Sequence, residues 1–298
     1  MPENGDQIWK KAIHTLFRSM VEFHLPEFYR DIDWSFPYVF LEQELENLFS
    51  PEQENKGFVD VLAQVTMRDA SQRHILLHVE VQGYGSGENA VKDFEERMFL
   101  YYYRIRDKWR KDVVALAILT DANTKYRPDR YEASGYGTSL VYTFNVCKII
   151  DYDENYLESH SNPFATLMLA AKRALKVERS DDEVKKLFKV GLIRLSLRKG
   201  YSPEEIEALF YFVDWVVTLS DRNVESEYME EIRTIAAKEG VKMPYVTTIE
   251  RVARIEEARK TARKMARKML QAGEPVEKVL VYTELSPEEI AEIREECR

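Results

Sequence analysis

Apolar residues recur at helical spacing near the start of the chain: Ile8, Trp9, Ala12, Ile13, Leu16, Phe17, Met20 and Val21. That period predicts an amphipathic helix over 6–25, stopped or bent at Pro26. Alternation then takes over. Trp34, Phe36, Tyr38 and Phe40 predict a short strand, which Pro37 confines to a sheet edge. Residues 50–57 are polar, contain Pro51 and read as a loop. The stretch 57–83, GFVDVLAQVTMRDASQRHILLHVEVQG, holds two apolar runs around a polar turn at 68–73. Runs that apolar predict strands covered on both faces. The segment 83–87, GYGSG, predicts a flexible turn, and helical spacing returns over 89–108 with Phe94, Met98 and Tyr101 on one stripe. A buried-strand run at 113–120, a loop at 121–137 rich in Asp, Asn, Arg, Pro and Gly, and a second β-rich run at 140–150 follow. Strand hairpin, helix, strand, strand predicts a mixed α/β core with helices on its faces.

From Pro163 the pattern is helical throughout. Four helices are expected, at 163–178, 181–199, 203–220 and 224–239. Ser180-Asp181-Asp182-Glu183 and Ser202-Pro203-Glu204-Glu205 read as capping boxes, and Gly200 and Gly240 stand where helices end. The third helix is apolar nearly all round, which places it at the centre of a bundle. A long basic helix is expected at 248–271, with Arg251, Arg254, Arg259, Lys260, Arg263, Lys264, Arg267 and Lys268 over a thin apolar stripe, ended by Gly273. Short helices at 276–282 and 286–296 complete a tail resembling a helix-turn-helix. It reads either as a solvated helix packing on a partner or on itself, or as a DNA-docking surface. The expected division is 1–160, an α/β domain; 161–243, a helical bundle; and 244–298, the basic helix and short tail. Self-association through the helical C-terminal region is a further expectation.

The chemistry concentrates in 57–83. Asp60 and Glu80 each sit inside an apolar run, where an unmatched charge is costly and calls for a partner or a metal. Folding the hairpin back brings Asp60 toward Glu80, and Glu80 and Gln82, two apart on a strand, share a face. Carboxylate and amide oxygens gathered this way suit Mg²⁺, a hard ion that takes oxygen ligands. The competing reading is a pair of ordinary acidic strand residues. His78 shares the Glu80 face and reads as a strand histidine with a minor role in the site left open. Arg97 and Arg104 lie two turns apart on the following helix. They form either a solvated face or a phosphate contact, for which guanidinium is geometrically suited. Tyr101, Tyr102 and Tyr103 beside Arg104 and Arg106 could serve a nucleic acid or the core. The 83–87 turn lacks the spacing of a dinucleotide or phosphate loop.

Composition narrows the class. With 298 residues, 45% hydrophobic and 32% charged, the chain can bury a sizeable core. Its two cysteines, Cys147 and Cys297, cannot form a zinc site alone and suit a reducing cytoplasm. The first residues, MPENGDQ, carry no apolar signal segment, and no apolar stretch approaches the ~20 residues of a membrane helix. No membrane association is expected. The net charge of −9 argues against a general electrostatic DNA binder, although local basic patches could still hold phosphate.

The order Asp60, hairpin, Glu80-Val81-Gln82 resembles the PD-(D/E)XK nuclease superfamily. More narrowly it resembles the recombination-promoting nuclease and putative transposase family, in which Gln takes the place of the usual Lys. Three further segments carry the likeness: the opening Asp6-Gln7-Ile8-Trp9-Lys10, the helix Phe94-Glu95-Glu96-Arg97-Met98-Phe99-Leu100-Tyr101, and the strand at 113–119. The likeness covers the first half of the chain well and the remainder loosely. It implies a mixed sheet flanked by helices. It also implies an endonuclease acting on DNA in recombination or mobile elements, with Mg²⁺ or Mn²⁺ held by Asp60 and Glu80 and with Gln82 completing the catalytic set. Asp6 and Lys10 would edge the site, and Arg97 and Tyr101 would contact phosphate. Glu22 and the acidic run Glu42, Glu44 and Glu46 are alternative sources of a further carboxylate. The alternative function is a non-catalytic DNA- or protein-binding protein on a decayed nuclease fold.

Overall fold

The computed structural model describes residues 5–42, 59–83, 89–239, 260–271 and 274–283, with the single positions 285, 290 and 293. Two compact units are present, residues 3–243 and 244–298.

The first unit opens with α1 (Gly5–Thr15), α2 (Phe17–His24) and α3 (Pro26–Asp31). The single helix expected over 6–25 is therefore kinked at Leu16, whose φ of −102° and ψ of 25° leave the helical region. It ends at Leu25, whose φ of −132° and ψ of 59° lie outside the helical region, as expected of a residue before proline. A mixed sheet follows, formed by β1 (Val39–Phe40), β2 (Val59–Thr66), β3 (His74–Gln82), β4 (Asp112–Leu119) and β7 (Asn145–Lys148), in the order β1-β2-β3-β4-β7. The expected aromatic strand is present only as the short edge strand β1, just beyond Pro37. β2 and β3 form the antiparallel hairpin, whereas β3–β4 and β4–β7 are parallel. The helix α4 (Ala90–Trp109) makes the β3–β4 crossover.

The loop expected at 121–137 and the single β run at 140–150 are both revised. β5 (Arg130–Gly135) pairs with β6 (Thr138–Thr143) as a separate two-stranded hairpin, and only β7 returns to the main sheet. The turn between β5 and β6 is Tyr136-Gly137, both in the left-handed region at φ 48° and 83°.

The sheet has two different faces. Val61, Ala63, Val65, Leu77, Val79, Val81, Leu116 and Ile118 join Ile8, Ile13, Phe17 and Met20 in the main core. On the other face, Leu62 and Leu76 pack with Tyr101 and Ile105, and Ala115, Ala117 and Leu119 pack with Phe94 and Met98. Strand alternation therefore assigns one face to α1 and α2 and the opposite face to α4.

The helical half comprises α5 (Glu154–Ser159), α6 (Pro163–Val177), α7 (Asp182–Arg198), α8 (Pro203–Val216) and α9 (Arg222–Glu239). Ser202 makes the expected capping box with Glu205, but α7 is capped by Asp181, which accepts from the Val184 N–H, rather than by Ser180. Gly200 ends α7 at a φ of 69°; Gly240 lies outside the described residues. Helix α8 is buried almost all round, from Ile206 to Asp214, as its composition predicts. The main core continues from the sheet through Phe164, Leu167 and Met168 of α6 to Leu209 and Phe212 of α8. The boundary at 160 is thus not a boundary between cores.

In the second unit, 260–271 is helical and α10 (Val276–Thr283) follows. Ala266, Val279, Leu285, Ile290 and Ile293 form its own cluster. The expected basic residues from 248 to 259, and Gly273, lie outside the described residues. No helix among the described residues is long and apolar enough to cross a membrane.

Candidate active site

The hairpin register pairs Asp60 with Glu80 across β2 and β3. Register partners of an antiparallel pair belong to one face of the sheet. The side chain of Asp60 itself lies outside the described residues. Glu80 is fully buried, as is His78, and Gln82 is nearly so. These three point to the α4 face, between the strand and the helix, as their spacing predicts. Gln82, Leu119 and Lys148 stand in one row at the ends of β3, β4 and β7. The carboxyl end of parallel strands is where open α/β sheets bind ligands.

Arg97 reaches from α4 onto this set. Its Nη2 donates to Glu80 Oε1 at 3.0 Å and to Gln82 Oε1 at 2.5 Å, and the Gln82 Nε2 donates to the Gly83 carbonyl at 2.7 Å. The guanidinium carbon stands 5.0 Å from the centre of the Phe94 ring. Arg97 is thus partly buried and paired with Glu80 and Gln82, not set on a solvated face. The signal was in the spacing: 94, 97 or 98, and 101 are successive positions of one helical stripe, so Arg97 flanks the buried side. A charge there needs a buried partner.

Glu80 Oε2 makes no hydrogen bond among the described residues and lies 3.9 Å from His78 Nε2. His78 also packs against the Tyr101 ring, with centroids 5.0 Å apart. Tyr101 is 9% exposed and belongs to the cluster with Leu62, Leu76 and Ile105, so its ring is a wall of the site.

The remaining sequence candidates are placed elsewhere. Lys10 is half-buried on α1, on the opposite side of the sheet from Glu80. No hydrogen bond or ion pair among the described residues joins it to Glu80, Gln82 or Arg97. The Asp6 side chain lies outside the described residues. Glu22 accepts from Asn162 Nδ2 at 2.9 Å, near the start of α6, and Glu42 pairs with His14 at 2.9 Å. Both are engaged as structural partners. Glu44 and Glu46 lie outside the described residues.

A second buried ion pair lies at the same end of the sheet and has no counterpart in the sequence reading. Lys148 Nζ donates to Asp121 Oδ2 at 2.7 Å and to the Tyr126 carbonyl at 3.0 Å, with both charged side chains almost completely buried. Burial pushes the Tyr126 hydroxyl up to about 12, with the Arg97 charge nearby opposing that rise. A lysine ending an apolar strand run was its signal.

The donor chemistry fits a divalent cation in part. One buried carboxylate with an oxygen free of hydrogen bonds and one amide oxygen two residues on are ligands that such an ion accepts. Among the described residues no group of three or more His, Cys, Asp or Glu side chains gathers closely enough to hold a metal. The register adds Asp60 as the second carboxylate position. Comparison of the chain with protein-family models, with curated proteins and with solved structures gives no match in any of the three.

Proposed function

We propose that this chain is a Mg²⁺- or Mn²⁺-dependent DNA endonuclease of PD-(D/E)XK type, similar to the recombination-promoting nucleases and putative transposases. The observation that carries this reading is the Asp60–Glu80 register across the central hairpin, with Gln82 following at the carboxyl edge of the sheet. A cation held there would polarise the scissile phosphate and lower the pKa of the attacking water. Asp60 and Glu80 would hold it. Gln82 can orient water or substrate by hydrogen bonds, but as an amide it brings no positive charge. A positive side chain on this face, Arg97, already contacts both Glu80 and Gln82. DNA as the partner, a role in recombination or mobile elements, a cytoplasmic setting and self-association through the helical region belong to the same proposal.

The Arg97 contacts favour a second reading. A guanidinium paired to Glu80 neutralises the carboxylate that a cation needs, as in a decayed site that binds DNA or protein without cutting. Incubation of supercoiled plasmid with Mg²⁺ or Mn²⁺ separates the two. The endonuclease nicks or linearises the plasmid, and Asp60→Ala and Glu80→Ala each abolish this. No cleavage with either ion, or cleavage that survives both substitutions, rejects the enzyme and leaves the binding protein.

A further inference from the structure

The contacts that favour the decayed site also support a more specific device, which rests on the metal-site reading above. Arg97 Nη2 bonds to Glu80 Oε1 and to Gln82 Oε1, two of the oxygens on this face suited to a hard cation. Glu80 is fully buried while the Arg97 side chain keeps 17% of its surface accessible, so the guanidinium is the member of the pair with a way out. The helix beneath it is fixed by Phe94, Met98, Tyr101 and Ile105, all buried. Movement therefore falls to the Arg97 side chain and not to α4. Two cations on one carboxylate in a dry pocket repel each other strongly, because screening there is weak.

We propose that Arg97 is a displaceable internal counter-ion. It occupies Glu80 and Gln82 in the cation-free protein and gives up these oxygens when a divalent cation binds. Cation entry and release of a guanidinium toward a phosphate group are then one coupled event. A guanidinium freed beside the site is chemically matched to a phosphodiester through paired N–H donors. The same contact neutralises Glu80 at rest, when a bare buried carboxylate would be costly.

The test is Mn²⁺ binding to the full chain, followed by electron paramagnetic resonance of the free ion, with no DNA present. Arg97→Gln retains an N–H donor, now an amide, and removes the charge, so its Mn²⁺ affinity should rise by about tenfold or more over wild type. Arg97→Ala should show the same direction, and Glu80→Ala should bind no Mn²⁺. Thermal melts establish that each variant is folded. In wild type, arginine side-chain NMR should show the Arg97 guanidinium with hindered rotation that becomes free on adding Mg²⁺, while the paired Arg127 and Arg173 stay unchanged. Unchanged or weaker affinity in folded Arg97 variants, with binding lost in Glu80→Ala, overturns the counter-ion role and leaves the metal site standing. So does an arginine spectrum indifferent to Mg²⁺ under conditions where Mn²⁺ binds. Mn²⁺ binding that survives Glu80→Ala, or no binding by any form, overturns the site itself.

Discussion

At the scale of single residues, His24 shows how far a fold can move an ordinary group. Its Nδ1 lies 3.1 Å from the Tyr152 hydroxyl, its Nε2 3.8 Å from Cys147 Sγ, and the Phe164 ring centre 5.3 Å away. Burial in that setting lowers the imidazole from 6.5 to about 3 and pushes the Cys147 thiol up to about 12. The unfolded chain takes up a proton near pH 6.5 that the folded chain refuses until about pH 3. The associated stability is therefore complete above pH 6.5 and declines as pH falls toward 3. Part of the residue still meets solvent, which limits the loss to on the order of 2 kcal/mol. Urea denaturation at pH 7 and pH 4.5 checks this. The stability advantage of wild type over His24→Gln should shrink at the lower pH by about half that amount, since pH 4.5 lies roughly midway through the decline. An advantage that holds constant would mean that His24 is protonated in the folded protein. The candidate site follows the same logic. The shared face of Asp60, Glu80 and Gln82 was legible because strand period and hairpin register fix it. The Arg97 contact was not, because an arginine on a helical stripe declares a buried partner without naming it.

At the scale of elements, the helical half is joined by a buried charge pair. Lys189 of α7 donates to Asp214 Oδ1 of α8 at 2.6 Å and to the Val217 carbonyl at 3.1 Å, and its ammonium lies 4.6 Å from the Tyr228 ring centre of α9. Both charged side chains are at most 1% exposed. Removing one partner strands the other charge in a dry interior, so Lys189→Met or Asp214→Leu alone should cost about 3–5 kcal/mol. The double substitution should recover most of that loss, because a well-packed apolar pair of similar volume replaces a paired charge at little net cost. Chemical denaturation of the three variants completes the cycle, and additive losses in the double variant would show that the two residues act independently. Helix α8 itself was legible, since its all-round apolar pattern has one meaning. The β5–β6 hairpin was not. A two-residue turn with both residues at positive φ normally announces itself as Asn-Gly or Asp-Gly. Here Tyr136 stands at the first position with a φ of 48°, so the turn signal was hidden and the strands on either side read as loop and as one long run.

At the scale of the whole molecule, burial decides where the chain can be divided. Residues 1–160 carry the entire sheet and the site motifs, and their pattern suggests a complete domain. The core contradicts that independence. Trp9 of α1 meets Phe212 of α8 edge-on at 4.8 Å, and the Lys11 ammonium of α1 lies 3.6 Å over the Tyr211 ring. Phe164, Leu167, Met168 and Phe212, all fully buried, complete the layer on the α1 and α2 face. Without 163–216 the fragment 1–160 exposes that layer to water, and each large apolar side chain so uncovered forfeits about 1.5–3 kcal/mol. A few such losses are comparable to the 5–15 kcal/mol that holds an ordinary domain together. The fragment 1–243 keeps the whole layer, and the cluster of Ala266, Val279, Leu285, Ile290 and Ile293 belongs to the other unit. The expected outcome is a single cooperative urea transition for 1–243 and none for 1–160, followed by circular dichroism and tryptophan fluorescence. Cooperative unfolding of 1–160 would mean that the sheet sustains its own core. The helices would then be an addition to the sheet and not part of what positions the candidate site.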